Sequence, residues 1–309
     1  MKAAPLSKKK EKSLCLLIVI YTIENAFLSV SVEDAGAQLK SIFDKTTKTE
    51  LLWQGNASFW KGRAYNLFPI VGRLYDGKYS YRGKIYEMDR HGFARGKRFC
   101  LCDKSSDAMT FVICSDDDTL KSYPFEFIFK VGFTLAGNKL KISYRVENVG
   151  KGDMYFGLGA HPGFNVPFNG GKFEDYEIRF NAPCSPQKEL FGENYLMADK
   201  REPFEIDENN SFSLKHSLFD NDAVVLRNAA RSVTLKKKDD KKGIIVDFPS
   251  MPFVGFWHTP KTEAPFLCIE PWENLPSKEG EIEDLTQKEN IGFVKEGMSS
   301  ECEITVTIG

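Results

Sequence analysis

Apolar and polar residues alternate with a period of two along much of the chain. Between 125 and 135, Phe125, Phe127, Phe129, Val131, Phe133 and Leu135 fall on one face. Between 139 and 146, Leu140, Ile142, Tyr144 and Val146 alternate with Lys139, Lys141, Ser143 and Arg145. A strand sends successive side chains to opposite faces, so each run predicts a strand with one face buried. Gly137-Asn138 separates the runs and reads as a two-residue turn, which makes them a β-hairpin. The same pattern predicts strands at 79–88, 109–115, 176–180, 223–226, 232–236, 244–248 and 302–308, with Asp76-Gly77 as another hairpin turn. The charged stretch from Lys236 to Lys242 reads as a hairpin tip. Helical spacing is scarce, and only 213–219 and 280–289 fit short helices. No internal repeat, linker or shift of composition divides the chain. The pattern predicts an all-β, mostly antiparallel fold in one domain over residues 21–309, after an N-terminal extension over residues 1–20.

Composition supports that picture. The 309 residues exceed the roughly 200–250 of a typical large sandwich or barrel, and 42% apolar with 13% aromatic content supplies a sizeable core. The formal net charge is −1, which gives no bulk electrostatic reason to bind nucleic acid or an anionic membrane. A small or neutral ligand is expected instead. Seven cysteines stand at 15, 100, 102, 114, 184, 268 and 302. Their number is odd and their spacing irregular, which reads as buried thiols in a reducing compartment. Lys8, Lys9, Lys10 and Lys12 precede the short apolar run Leu14–Ile20, an arrangement like a signal peptide but without an A-x-A site. The run falls short of the ~20 apolar residues that span a bilayer. The expectation is a cytoplasmic protein, monomeric or homodimeric, with export left open by this N-terminus.

Three Gly/Pro-rich segments interrupt the alternation and carry reactive side chains, as loops above a rigid sheet often do. Asn66-Leu-Phe-Pro-Ile-Val-Gly-Arg73 is followed by His91-Gly-Phe-Ala-Arg95. Arg73 and His91 could hydrogen-bond the hydroxyls of a polar ligand, or serve as a surface arginine and a turn histidine. In Gly157-Leu-Gly-Ala-His-Pro-Gly-Phe164, Pro162 biases His161 toward an extended backbone, at the end of a strand suggested by 153–158. Glycines on both sides leave space for a ligand to approach, yet a loop histidine alone is more often structural than catalytic. In Phe266-Leu-Cys-Ile-Glu-Pro-Trp272, Glu270 stands at the end of an apolar strand. Partial desolvation there would raise its pKa toward that of a general base, unless the side chain simply leaves for water. No paired C-x-x-C, H-x-x-x-H, G-x-S-x-G, G-x-G-x-x-G or phosphate loop is present, so no metal, cofactor or serine nucleophile is expected.

"FPIVGRL", "YRGKIYEMDRHGFARGKRF", "YPFEF", "GLGAHPGFNVPF" and "FLCIEPWENLP" occur in that order. With them the chain resembles the aldose 1-epimerase (mutarotase) family, most closely its LacX-like branch, over roughly residues 21–309. The resemblance implies a galactose-mutarotase-like β-supersandwich and cofactor-free interconversion of the α and β anomers of a free hexose. It implies Glu270 as the base that takes the C1 hydroxyl proton and His161 as the acid that protonates the ring oxygen. His91 matches a second histidine near that oxygen, and Arg73 a sugar-binding arginine. A family aspartate that binds sugar hydroxyls has two candidates here, Asp220 and Asp222. Trp257 and His258 are candidates to line the pocket, although a core tryptophan fits equally. Two alternatives stand beside this reading. A hexose-6-phosphate mutarotase would need extra basic groups, for which Arg73, Arg95 and Lys97 are placed. A sugar-binding sensor would keep the pocket without turnover.

Overall fold

A computed structural model describes residues 17–309; residues 1–16, which hold most of the expected N-terminal extension and Cys15, lie outside the described residues. Asp34 accepts a hydrogen bond from the Val19 amide at 3.1 Å, and the first strand begins at Ile20.

Two large antiparallel sheets face each other. The first has nine strands, in the order 211–213, 176–180, 232–237, 243–247, 299–308, 139–148, 127–136, 108–114 and 100–104. The second has seven, in the order 197–203, 187–191, 224–227, 253–257, 266–272, 159–165 and 64–67. Phe129, Phe133 and Ile304 of the first sheet pack with Phe164, Phe256 and Ile269 of the second in one buried core. A separate four-stranded sheet, Ile20–Glu24, Leu28–Glu33, Gln38–Asp44 and Thr49–Glu50, completes the N-terminal part.

The longest predicted hairpin is present, with Ala136 paired to Lys139 across Gly137-Asn138. Gly137 alone takes a positive φ (59°), as glycine does at the first central position of a II′ turn. The hairpin expected at Asp76-Gly77 is displaced. Tyr75–Gly77 is a single 3-10 turn, and the predicted strand 79–88 is itself the hairpin, Lys78–Tyr81 with Lys84–Glu87, turning at Arg82-Gly83. Both turn residues have positive φ (49° and 74°), the I′ geometry, and an arginine hid that signal. The two helix expectations reduce to single 3-10 turns at His216–Phe219 and Leu285–Gln287, because spans this short do not offset helix nucleation. Thiol burial is also mixed: Cys268 and Cys302 are buried, whereas Cys100, Cys102 and Cys114 are exposed, and all described cysteines are free. Among the described residues, no helix is long and apolar enough to cross a membrane.

Candidate active site

The site lies on the outward face of the seven-stranded sheet, where two neighbouring strands carry its central pair. Strand Phe266–Trp272 is buried along its whole length. Leu267 and Ile269 turn into the core between the sheets. The alternate residues Cys268, Glu270 and Trp272 face the other way, and Glu270 and Trp272 line a cavity of about 480 Å³. Strand Gly159–Asn165 divides likewise: Ala160 and Phe164 enter the core, while His161 lines the cavity. Neither residue ends its strand, as the sequence suggested; both sit inside one.

Register explains why they meet. Gly159 pairs with Trp272 and Gly163 with Cys268, one register maintained across the gap between them. That register sets His161 opposite Glu270. Pro162 and Pro271 lie inside the gap, where each withholds an amide donor and interrupts the ladder. The result is a cross-strand side-chain pair with His161 Nε2 3.2 Å from Glu270 Oε1. On the far sides, His161 stands opposite Tyr65 and Glu270 opposite Gly255.

The glycines flanking His161 serve a different purpose from the ligand approach expected of them. A Cβ on Gly159 would come within 2.8 Å of the Trp272 ring, and one on Gly163 within 3.2 Å of the Trp60 ring. They make room for tryptophans that build the site. Trp60 stacks on the His161 imidazole at 4.9 Å between centroids, and Trp257 meets the same ring edge-on at 5.6 Å. The imidazole is therefore clamped in orientation by its aromatic neighbours.

Burial dominates the electrostatics. It pushes the Glu270 carboxyl well above the ordinary range, and the nearby Asp222 carboxylate adds to the rise. It draws His161 down to about 3, further lowered by the Arg90 and Arg95 charges. Both partners of the central pair thus favour their neutral forms, carboxylic acid beside imidazole. His91 is also buried and held well below its ordinary pKa, first by burial and then by His161 and the surrounding arginines. Its Nδ1 accepts a hydrogen bond from the Gly72 amide at 3.1 Å, and its own amide donates to the Gly72 carbonyl at 2.8 Å. A neutral imidazole with Nδ1 occupied as an acceptor carries its proton on Nε2. His91 therefore has a donor to offer a ligand.

Of the other anticipated residues, Arg73, Asp222 and Trp257 line the cavity. Asp222 accepts a 2.7 Å hydrogen bond from the Trp257 indole, and burial raises its pKa. Asp220 does not join them; it is exposed, two residues earlier at the end of a 3-10 turn. His258 is also absent from the lining. Alternation sends it to the opposite side from Trp257, where its Nε2 meets His216 Nδ1 at 3.1 Å. Lys97 is engaged with Asp116 at 3.0 Å.

The sequence reading missed Trp60, Lys61, Arg90 and Tyr195, all of which line the cavity. Arg90 was within sight, directly before His91 in the quoted "MDRHGF". Trp60 and Lys61 lie in a loop with no strand periodicity, and only folding brings them over the sheet. Register also brings Cys268 beside the central pair, so that donor atoms of His161, Cys268 and Glu270 lie within 4.8 Å of one another. These three could hold a cation only after losing protons, since burial raises the pKa of both the thiol and the carboxyl.

Comparison with known proteins gives this arrangement a family context. The family model described as Aldose 1-epimerase matches residues 19–287. The chromosomal LacX protein of Lactococcus lactis subsp. lactis is 36% identical over 278 residues, which cover 86% of this chain and 92% of LacX. Among solved structures, a galactose mutarotase related enzyme from Lactobacillus acidophilus superposes with a TM-score of 0.87 at 32% identity, covering 94% of this chain and 97% of that one. A galactose mutarotase-like protein from Lactobacillus casei ATCC 334 gives the same TM-score at 31% identity, covering 94% and 100%.

Proposed function

Because the chain belongs to the aldose 1-epimerase family, we propose that this cavity interconverts the α and β anomers of a hexose, with His161 and Glu270 as its acid and base. The observation that carries the proposal is the 3.2 Å contact between His161 Nε2 and Glu270 Oε1, buried at the floor of a sugar-sized cavity.

Mutarotation removes a proton from the C1 hydroxyl and gives one to the ring oxygen. Both oxygens are bonded to the same carbon, so an acid and a base in mutual contact can serve them together. Transfer of the shared proton from Glu270 to His161 produces a carboxylate and an imidazolium. The carboxylate takes the O1 proton, the O–H electron pair forms the C1=O1 double bond, and the C1–O5 pair returns to O5. O5 then receives the proton from His161. The open-chain aldehyde stands beside a protonated Glu270 and a neutral His161, which are the forms that burial favours. Rotation about C1–C2 and reversal of the steps gives the other anomer. Neither a net proton nor an electron is exchanged with solvent.

The His91 Nε2–H would support O5 or a neighbouring hydroxyl as a donor; with Nδ1 already occupied, it is poorly placed to act as a base. Asp222, oriented by the Trp257 indole, and Arg73 would bind ring hydroxyls. Polarimetry or NMR exchange on freshly dissolved α-sugar tests the reading. His161→Asn and Glu270→Gln should each reduce kcat by at least about 10²-fold, the lower end for a positioned acid or base. Rates equal to wild type in both variants would sink it. Saturable sugar binding without turnover by the wild type would favour the sensor alternative.

A further inference from the structure

Trp272 stands two residues beyond Glu270 on strand Phe266–Trp272, so both side chains rise from the same face of the sheet. Both are buried and both line the cavity. Two glycines show where the indole lies. Trp272 is paired with Gly159 on one side and Phe253 on the other, while Glu270 is paired with Gly255. A Cβ built on Gly159 would meet the indole Cδ1 at 2.8 Å. A Cβ built on Gly255 would meet both Glu270 Cβ and the indole Cζ2 at 3.4 Å. The ring therefore extends past its own pairing position. It leans back along the strand until its six-membered part lies over the glycine opposite Glu270. Cδ1 and Cζ2 lie on either side of Nε1 along one edge of the indole, so the edge that bears the N–H is turned down toward the sheet beside Glu270.

That N–H is buried and has no hydrogen-bond partner. An unpaired buried donor is costly, and native proteins keep few of them. Two other indole donors are engaged: Trp53 donates to the Trp60 carbonyl at 2.8 Å, and Trp257 to Asp222 at 2.7 Å. Asp222 and Glu270 are the two carboxyl groups of the cavity lining, and the first is already held by an indole. Burial and the Asp222 charge raise the Glu270 pKa, while the Trp272 indole opposes the rise. The donor is thus close to the carboxyl, yet outside hydrogen-bond geometry in the resting pair. A neutral carboxylic acid is a weak acceptor for it, whereas a carboxylate is a strong one.

We propose that Trp272 is a positioning residue for the proton transfer: its indole N–H hydrogen-bonds the Glu270 carboxylate that forms when the shared proton passes to His161. The donor is unpaired before the transfer and paired after it, so the bond favours the charge-separated pair over the resting one. The mobile proton moves only between Glu270 and His161, and the indole keeps its own. This inference rests on the anomerase reading above and adds to it the group that offsets the burial of a newly formed charge.

The test compares wild type with two replacements of Trp272, by NMR anomer exchange on freshly dissolved α-glucose and α-galactose. Trp272→Phe removes the N–H and part of the ring. Replacement of Trp272 by 3-benzothienylalanine keeps the bicyclic shape and puts sulfur where the N–H stood. Both should lower kcat about ten-fold or more, the effect of losing a hydrogen bond to a charged group, with KM within about two-fold of wild type. In both, the alkaline limb of the pH–rate profile should move to higher pH, because a carboxylate without its donor holds its proton more tightly. A benzothienyl variant with wild-type kcat, whatever Trp272→Phe does, would overturn the inference and assign Trp272 to packing. A loss expressed in KM alone would overturn it as well. Either outcome leaves the anomerase reading standing, because that reading is tested by His161→Asn and Glu270→Gln. A wild type that accelerates neither sugar would defeat both.

Discussion

The identity of His161 and Glu270 matters less than the environment in which each is held. A solvated imidazole and carboxylate side by side would form a standing ion pair near neutral pH. Here burial raises one and lowers the other, so the pair keeps a single mobile proton and titrates as a unit. The expected pH–rate profile is broad, without an acid limb near the ordinary histidine value of about 6.5. Activity should fall only at low pH, as the pair takes a second proton, and at high pH, as it loses the mobile one. An acid limb near the ordinary histidine value would contradict this account. Gly92 is a second residue whose environment decides its role. With φ +70° and only 2.2 Å between a built Cβ and the Phe68 carbonyl oxygen, it permits the sharp turn that presents His91. Gly92→Ala should lose at least about 2 kcal/mol in urea denaturation, through backbone strain and the clash.

At the scale of the element, strand Phe266–Trp272 serves two purposes at once. Its inward side chains hold the two sheets together, and its outward ones make the site. The two faces should respond differently to substitution. Ile269→Ala opens a cavity in the core and should cost about 2–5 kcal/mol of stability with KM nearly unchanged. On the adjoining strand, Gly159→Val should push Trp272 from its place and reduce activity, measured as kcat/KM against wild type. If Ile269→Ala shifted KM as strongly as Gly159→Val, the separation of faces would be wrong. The strand itself was legible in the sequence as an apolar run, but its end was misplaced. A proline normally argues against the interior of a sheet. Pro162 and Pro271 are tolerated there because both fall in the same gap in the ladder, Pro162 opposite Ile269 and Pro271 opposite Ala160.

At the scale of the whole molecule, buried histidines couple stability to pH. His91, His161 and His258 all titrate below their ordinary value because burial disfavours the imidazolium. In the unfolded chain each takes a proton as pH falls through about 6.5. In the folded chain His258 does so only at about 4 and His161 at about 3. Between these limits the histidines make the unfolded state bind more protons, so their contribution to stability declines as pH drops, while the raised carboxyls of Glu270, Glu273 and Asp222 act in the opposite sense. The His161 share, on the order of 2 kcal/mol, is read as the difference between wild type and His161→Asn in denaturation at pH 7 and pH 4.5. His161→Asn should shift the change in stability over that interval toward greater stability at pH 4.5, and a change equal to wild type would refute the assignment.

The sequence by itself determined the fold class, the 127–148 hairpin and the segments that carry chemistry, because period-two alternation and turn residues are local signals. Its motif order also identified His161, Glu270, Arg73 and His91 as candidates. Only the tertiary structure decided which groups meet. The choice between Asp220 and Asp222 depended on which side chain a turn aims at the cavity. The arrival of Trp60, Lys61 and Arg90 depended on loops folding over a distant sheet. Most telling is the charge: the whole chain of 309 residues sums to −1, while the pocket gathers four cations, Lys61, Arg73, Arg90 and Arg95, that form no ion pair among the described residues. A sum over the chain carries no information about position. Electrostatic interactions act over roughly 10 Å or less in salt, so only the folded arrangement sets the local field of the cavity.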